Sequence, residues 1–353
     1  MFNEPLQRYL KPDIKVYPKE EAEFGVEVEV EGKDLAQKLV SYWKCEHDGS
    51  LRGEAIEYIF KKPLTYQKTK TALEYLRKKL DKNGSIVYDS DRTSVHVHVN
   101  MSYSTLMHVY NMIVLYGIFE ELMTEYAGET RVGNLFCLRM QDAEYFVLAV
   151  KQAARSKNLG VLNTDDLRYC ALNVRSLFKY GTLEFRALRG TVDPDVIMDW
   201  IDLITCIRDK SEMYADPSEI MSRFSQLGPR AFLLDTFGGC SDRLRVGDWK
   251  RSMQEGVRTV QDIAFCTDWQ QQQREQMINN MDKVLEEYPR GLEPLPNQLN
   301  PRLDRDPRLP HPIDLDIENC PPEIREDAWR WLGCAINLEA RDRILRNLAN
   351  HRS

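Results

Sequence analysis

Two stretches of the chain alternate with strict period two: "FGVEVEVEG" (Phe24 to Gly32) and "TSVHVHVN" (Thr93 to Asn100). Successive side chains of an extended strand point to opposite faces. The first stretch therefore puts Val26, Val28 and Val30 on one face and Glu27, Glu29 and Glu31 on the other. The second sets Val95, Val97 and Val99 against His96 and His98. Two more segments read as strands. In "EAIEYIF" (Glu54 to Phe60), Glu57 shares a face with Ala55 and Ile59. In "GTLEFRAL" (Gly181 to Leu188), Leu183 and Phe185 oppose Glu184 and Arg186. An apolar sheet face demands a hydrophobic layer behind it. The stretch Ser102 to Tyr126, apolar on most of its surface, is predicted to be a helix that supplies this layer. The opposite face then becomes a concave floor of carboxylates, imidazoles and a guanidinium.

Around these strands the chain reads as mixed. A helix is predicted over Thr65 to Leu80, ended near Gly84, and another over Asp193 to Met213, capped by Asp193 or the turn before Pro194. "HDGSLRG" (His47 to Gly53) is a tight connection, with Asp48 in its Asp-Gly turn. Asp142 to Ala153 and Arg168 to Ser176 declare neither helix nor strand. Beyond Tyr214 no alternating strand returns. Helical segments are predicted at Pro217 to Leu227, Trp249 to Gln272 and Glu275 to Glu287. Pro289 to Asp316 is rich in proline, which lacks the N–H that regular elements need, and reads as an extended arm or linker. A short helix is predicted within Pro322 to Leu348.

Composition narrows the classes of function. The 353 residues are 42% hydrophobic and 29% charged, as in a globular protein. A net charge of −7 gives no general attraction to nucleic acid or to anionic membrane. The apolar run Asn111 to Phe119 is too short to span a bilayer, and no secretion signal opens the chain. The eight cysteines are scattered without a Cys-x-x-Cys pair. That argues against a disulfide scaffold or a cysteine zinc site and for a reducing, cytoplasmic location.

Carboxylates gathered on one floor repel unless cations lie between them. Oxygen ligands suit magnesium or manganese, and imidazole suits manganese or zinc. A glutamate-rich floor beside an arginine fits phosphoryl transfer, because the guanidinium neutralises phosphoryl oxygens or clamps a carboxylate. Each residue also has a plain alternative. Glu27 and Glu29 alone could be a solvated sheet face, and Glu184 and Arg186 a simple ion pair. Glu31, near its strand end, reads as surface. Asp48 reads as turn chemistry, and His47 and His108 as non-ligands. The joint occurrence on several strands favours a site. Two other chemistries stay open: a kinase acting on a nitrogen acceptor, and a zinc or manganese metallohydrolase built on His96 and His98.

Four segments, in this order, carry a family resemblance: "FGVEVEVEG", "WKCEHDGSLRGEAIEYIFKKPL", "TSVHVHVNMS" and "RYCALNVRSLFKYGTLEFRALRGTVDP". Together they resemble the amidoligase branch of the carboxylate–amine ligases, related in fold to glutamine synthetase and glutamate–cysteine ligase. The resemblance runs from about Glu21 to Met213 and leaves the last third uncovered. It implies an α+β fold with an antiparallel sheet of the glutamine-synthetase-like catalytic type and a mainly helical C-terminal region. The expected organisation is a catalytic core over 1–213, a helical extension over 214–287, and an arm with a terminal helix over 288–353. The resemblance implies ATP with magnesium, or manganese, held by Glu27, Glu29, Glu57 and Glu184. It implies that His96 or His98 faces phosphate or metal, that Arg186 contacts the transferred phosphoryl group, and that Asn173 and Arg168 line the acceptor and cofactor pocket. The implied reaction joins a carboxylate to an amine through an acyl phosphate. Small-molecule or peptide carboxylate and amine substrates are expected; nucleic acid recognition has little support, a modified base stays open as an acceptor, and the proline-rich arm is a candidate to clasp a second subunit. Segments around Arg131 to Arg139 or Asn158 to Arg168 are candidates to close over the site. The chain departs from the pattern at "AIEYIFKKPL", where Tyr58 and Ile59, with Lys61 and Lys62, stand in place of a short polar segment before the proline, so no relative's substrate carries over.

Overall fold

The computed structural model describes residues 2–47 and 49–271. Asp48 and the segments Glu275 to Glu287, Pro289 to Asp316 and Pro322 to Leu348 lie outside the described residues. The strands are β1 (Phe24–Lys33), β2 (Trp43–Glu46), β3 (Ala55–Phe60), β4 (Ile86–Val87), β5 (Ser94–Asn100), β6 (Leu172–Asn173) and β7 (Thr182–Arg189). The helices are α1 (Tyr66–Asn83), α2 (Leu106–Ala127), α3 (Glu144–Ser156), α4 (Leu177–Tyr180), α5 (Pro194–Ser211), α6 (Pro217–Phe237) and α7 (Trp249–Ala264). The architecture is mixed α and β around one open antiparallel sheet, in the order β2-β3-β1-β5-β7-β6, with β4 added to the end of β1.

The register follows from the alternation. Val26, Val28, Val95, Val97 and Val99 are all buried on the apolar face. Behind them α2 is apolar all round and almost wholly buried, its Tyr116 ring lying edge-on to Phe185 of β7 with centroids 5.2 Å apart. Helices α6 and α7 cover the far side of α2 in the same hydrophobic core.

Helix ends depart from expectation for local reasons. The α2 helix starts at Leu106, not Ser102, because Thr105 Oγ1 accepts the His108 N–H as an N-cap. Ser102 is meanwhile tied to Asn100 Oδ1. The α1 helix stops at Gly84, whose φ of 70° is left-handed, as its sequence predicts. The α6 helix runs past Leu227 through a kink at Gly228, φ 70°, and Pro229, where the helical hydrogen-bond ladder is interrupted. The α7 helix ends at Ala264, eight residues before Gln272, where Trp269 Nε1 donates to the Ala264 carbonyl. Of the two ambiguous segments, one forms α3, and the other forms short 3-10 turns around β6.

Glu31 corrects the reading as surface. It is buried, and its Oε1 accepts the Arg52 N–H at 2.7 Å, which fastens the turn before β3 to β1.

Candidate active site

The polar face of the sheet floors a cavity of about 760 Å³. Glu27, Glu29, Glu57, His96, His98, Arg168, Asn173, Glu184 and Arg186 all line it. Strand pairing brings them together. Glu27 lies opposite His96, Glu29 opposite Glu57, His98 opposite Glu184, and Glu184 opposite Asn173. Thus four neighbouring strands and the short β6 each deliver side chains to one floor, as side-chain alternation requires.

The hydrogen bonds are directional enough to assign protons. Glu29 Oε2 accepts from the Ser94 N–H at 2.8 Å and from the Ser94 hydroxyl at 2.6 Å. The hydroxyl proton is then spent, so the 2.8 Å contact between Ser94 Oγ and His96 Nε2 is donated by the histidine. In a neutral His96 ring, Nδ1 keeps its lone pair. That nitrogen faces Glu27 Oε2 at 3.2 Å and Glu184 Oε1 at 3.5 Å, an arrangement that a cation between them would stabilise. His98 Nδ1 is 3.0 Å from Thr182 Oγ1. Its Nε2 is buried without a well-directed hydrogen bond, 3.4 Å from Glu27 Oε1 and 4.0 Å from Glu184 Oε2. Asn173 Nδ2 donates to Glu184 Oε2 at 2.6 Å, so its amide orients Glu184. The Arg186 guanidinium pairs with Glu184 Oε1.

Burial alone would raise the Glu27 carboxyl, but the His96 and His98 side chains beside it outweigh that and hold the group well below the usual range. Glu184 is also depressed: burial opposes its charge, and Arg186 followed by His98 and His96 overcomes that. His98 is pushed up, since the charges of Glu184 and Glu27 exceed the penalty of burial. Glu27 and Glu184 are therefore ionised at neutral pH.

Among the described residues, two groups have ligand atoms close enough to hold a metal ion, Glu27 with His98 and Glu184, and Glu27 with Glu57 and His96; within each, the atoms lie within 4.8 Å of one another. Glu27 belongs to both. Glu29 belongs to neither; its Oε2 is committed to Ser94, and its Oε1 lies 3.7 Å from His96 Nε2. The oxygen and imidazole donors, and the buried His98 Nε2, fit a hard divalent cation.

Sequence reasoning missed several contributors. Ser94 looks like an ordinary strand residue until its proton is traced. Arg92, Arg175 and Lys11 bring positive charge to the cavity from outside the strands, and Phe136, Tyr169 and Phe178 add aromatic surface. Arg131, which opens a proposed flap, is instead fully buried: its guanidinium donates to the carbonyls of Arg186 and Ala187 at 3.0 Å each and of Thr93 at 3.5 Å. Arg168 lines the cavity with its guanidinium 4.6 Å from the Tyr169 ring centroid.

The open sheet thus collects carboxylates, imidazoles and arginine beneath one cavity. A family profile described as "putative amidoligase enzyme" matches residues 22–207. The chain therefore belongs to the amidoligase family, and its class is that of a ligase. The match spans the whole sheet and ends within α5. No curated protein matches the chain.

Proposed function

We propose that the protein is an ATP-dependent carboxylate–amine ligase that forms an amide through an acyl phosphate. The observation that carries this reading is the sharing of Glu27 between two acid–imidazole groups beside the Arg186–Glu184 pair. A carboxylate is a poor electrophile, so amide formation at neutral pH needs activation. Attack of the substrate carboxylate on the γ-phosphorus gives an acyl phosphate and ADP, and attack by the amine then expels phosphate. Magnesium or manganese bound by Glu27, Glu57 and Glu184, with Glu29 as a further ligand and His96 or His98 beside them, would neutralise charge on the phosphates. Arg186, fixed by Glu184, stabilises the equatorial phosphoryl oxygens. Ser94, held by Glu29, orients the His96 ring. Asn173 keeps Glu184 from turning out of the floor. Arg168 and Arg175 add positive charge where the nucleotide enters. A cytoplasmic location accords with the six described cysteines, all free thiols, and no helix among the described residues is long and apolar enough to cross a membrane.

The alternative of a zinc hydrolase needs both histidines on one ion, and neither group among the described residues contains both. The test incubates the full chain with ATP, magnesium and pools of carboxylic acids, amino acids and polyamines. Release of ADP and phosphate with a condensed product in the mass spectrum is expected, and Glu27→Gln is expected to cut turnover by at least about a hundredfold. A stable phosphorylated product without free phosphate would make the protein a kinase. Turnover without ATP would make it a hydrolase.

A further inference from the structure

A second cavity of about 560 Å³ adjoins the first, and the two share Asp13, Glu27, Glu57, His98, Lys179 and Tyr180 along a common wall. Its lining is unlike that of the first. Lysines enter it from separate parts of the chain: Lys15 before β1, Lys44 on β2, Lys61 and Lys62 after β3, and Lys179 on α4. Of the five acids that line it, two are engaged in pairs of their own. Glu46 is paired with Lys44 at 2.7 Å, and Glu23 with the buried Arg208 at 3.2 Å. Lys61 donates to the Val40 carbonyl at 2.8 Å. Lys15, Lys61, Lys62 and Lys179 are thus left with Asp13, Glu27 and Glu57, all three acids on the shared wall. Lys179 lies 4.7 Å over the Tyr180 ring, and that ring meets His98 edge-on at 5.5 Å, so the lysine lobe touches the acidic floor directly.

We propose that this lysine-rimmed lobe binds the carboxylate substrate, and that the substrate is a polyanion carrying at least two acidic groups beyond the one that reacts. The proposal rests on the ligase reading for which group reacts, and goes beyond it in naming the substrate class. Four ammoniums around an open lobe attract anions through a shared field, and the field repels polyamines and other cationic acceptors. One carboxylate of the substrate reaches the shared wall at Glu27 and His98, and the others pair with Lys15, Lys62 and Lys179. Lys61 and Lys62, just after β3, thereby set specificity. Triphosphate instead occupies the first cavity, where the arginines 92, 168, 175 and 186 outnumber Lys11 and the shared Lys179. Arginine suits bidentate phosphate contact, whereas lysine acts as a point charge suited to spaced carboxylates.

The test needs no turnover. The full chain with magnesium, at constant ionic strength, is titrated calorimetrically with propionate, glutarate and tricarballylate, and separately with a non-hydrolysable ATP analogue. Affinity is expected to rise from one carboxylate to three. The double variant Lys15→Glu/Lys62→Glu is expected to lose at least about tenfold in tricarballylate affinity, the order of two reversed ion pairs. Its thermal midpoint and its affinity for the ATP analogue should stay unchanged, because both lysines are exposed and lie outside the first cavity. Equal binding or no binding of the three acids would overturn the proposal. So would a double variant with unchanged tricarballylate affinity, or one that loses the ATP analogue as well, which would assign the lobe to the nucleotide. Failure of the ligase reading would appear elsewhere, as the absence of ADP release in the turnover assay.

Discussion

Glu120 is an acid in the wrong medium. It sits fully buried on α2, where burial pushes its carboxyl up to about 8. The Met140 N–H donates to its Oε2 at 2.7 Å and opposes that rise, while its Oε1 has no hydrogen-bond partner. The folded state therefore holds a proton that the unfolded chain, titrating near the ordinary glutamate value, gives up. Between these two values the folded state binds more protons, so stability falls as pH rises through the interval and levels off above about pH 8. Glu120→Gln, which cannot ionise, is expected to flatten this slope. Urea unfolding at intervals between about pH 5 and pH 9 checks it, and parallel curves for the two proteins would refute the burial of a neutral acid. Residues of the floor were legible where Glu120 was not. Glu27, His96, Glu184 and Arg186 stand out because alternation declares which face they share and strand pairing does the rest. Ser94 carries no such mark, since its role exists only once Glu29 and His96 lie on either side of it. Lys15, Lys44 and Lys179 are far apart in sequence, and only the folded chain makes them one lobe.

At the scale of elements, the aim of Arg186 depends on an irregularity. Val95 pairs with Leu188 and Val97 with Phe185, so β7 carries one residue more than β5 between these points. Such a bulge re-aims side chains and leaves backbone groups without ladder partners. It lets Glu184 and Arg186 face the cavity while Leu188 returns to the apolar side beside Val95. Arg131 binds the carbonyls of Arg186 and Ala187 within the bulge and reaches Thr93 at the entrance to β5. Arg131→Met removes all these donors and should lower stability by about 2–4 kcal/mol, because buried carbonyls lose their partners. Arg131→Lys should recover less than half of that, since one ammonium cannot span the same acceptors. Chemical denaturation measures both, and a methionine variant as stable as the parent would show that the guanidinium does not hold the bulge. The bulge escapes the sequence because "EFRALR" reads as unbroken alternation at its start and gives no signal where the register slips. The strands β2 and β6 escape it for another reason. They are four and two residues long, too short for a period to show.

At the scale of the molecule, the family match ends at residue 207 but the fold that carries the site does not. A helix as uniformly apolar as α2 must be covered on both sides. The sheet covers one side and α6 and α7 the other, and Phe232 and Phe237 of α6 pack their rings on Phe119 of α2. The closest approach is backbone to backbone. A Cβ placed on Gly256 of α7 would lie 2.5 Å from the Ile118 carbonyl oxygen and 2.7 Å from that of Gly117. A Cβ on Gly117 would in turn lie 2.3 Å from Val260 Cγ1. Neither helix can accept a methyl there without moving apart along its length, and separation would loosen the layer against which Val95, Val97 and Phe185 are packed. Gly256→Ala is therefore expected to destabilise the protein by about 1–3 kcal/mol, despite the helix propensity that alanine adds. The loss should be read by calorimetric or urea unfolding as one cooperative transition, because α7 and the sheet share a single core. An alanine variant of equal or greater stability would mean that α7 is not pressed on α2 as described. A split into two transitions would mean that the residues after 213 fold as a unit apart from the sheet, and that the floor of the site stands without them.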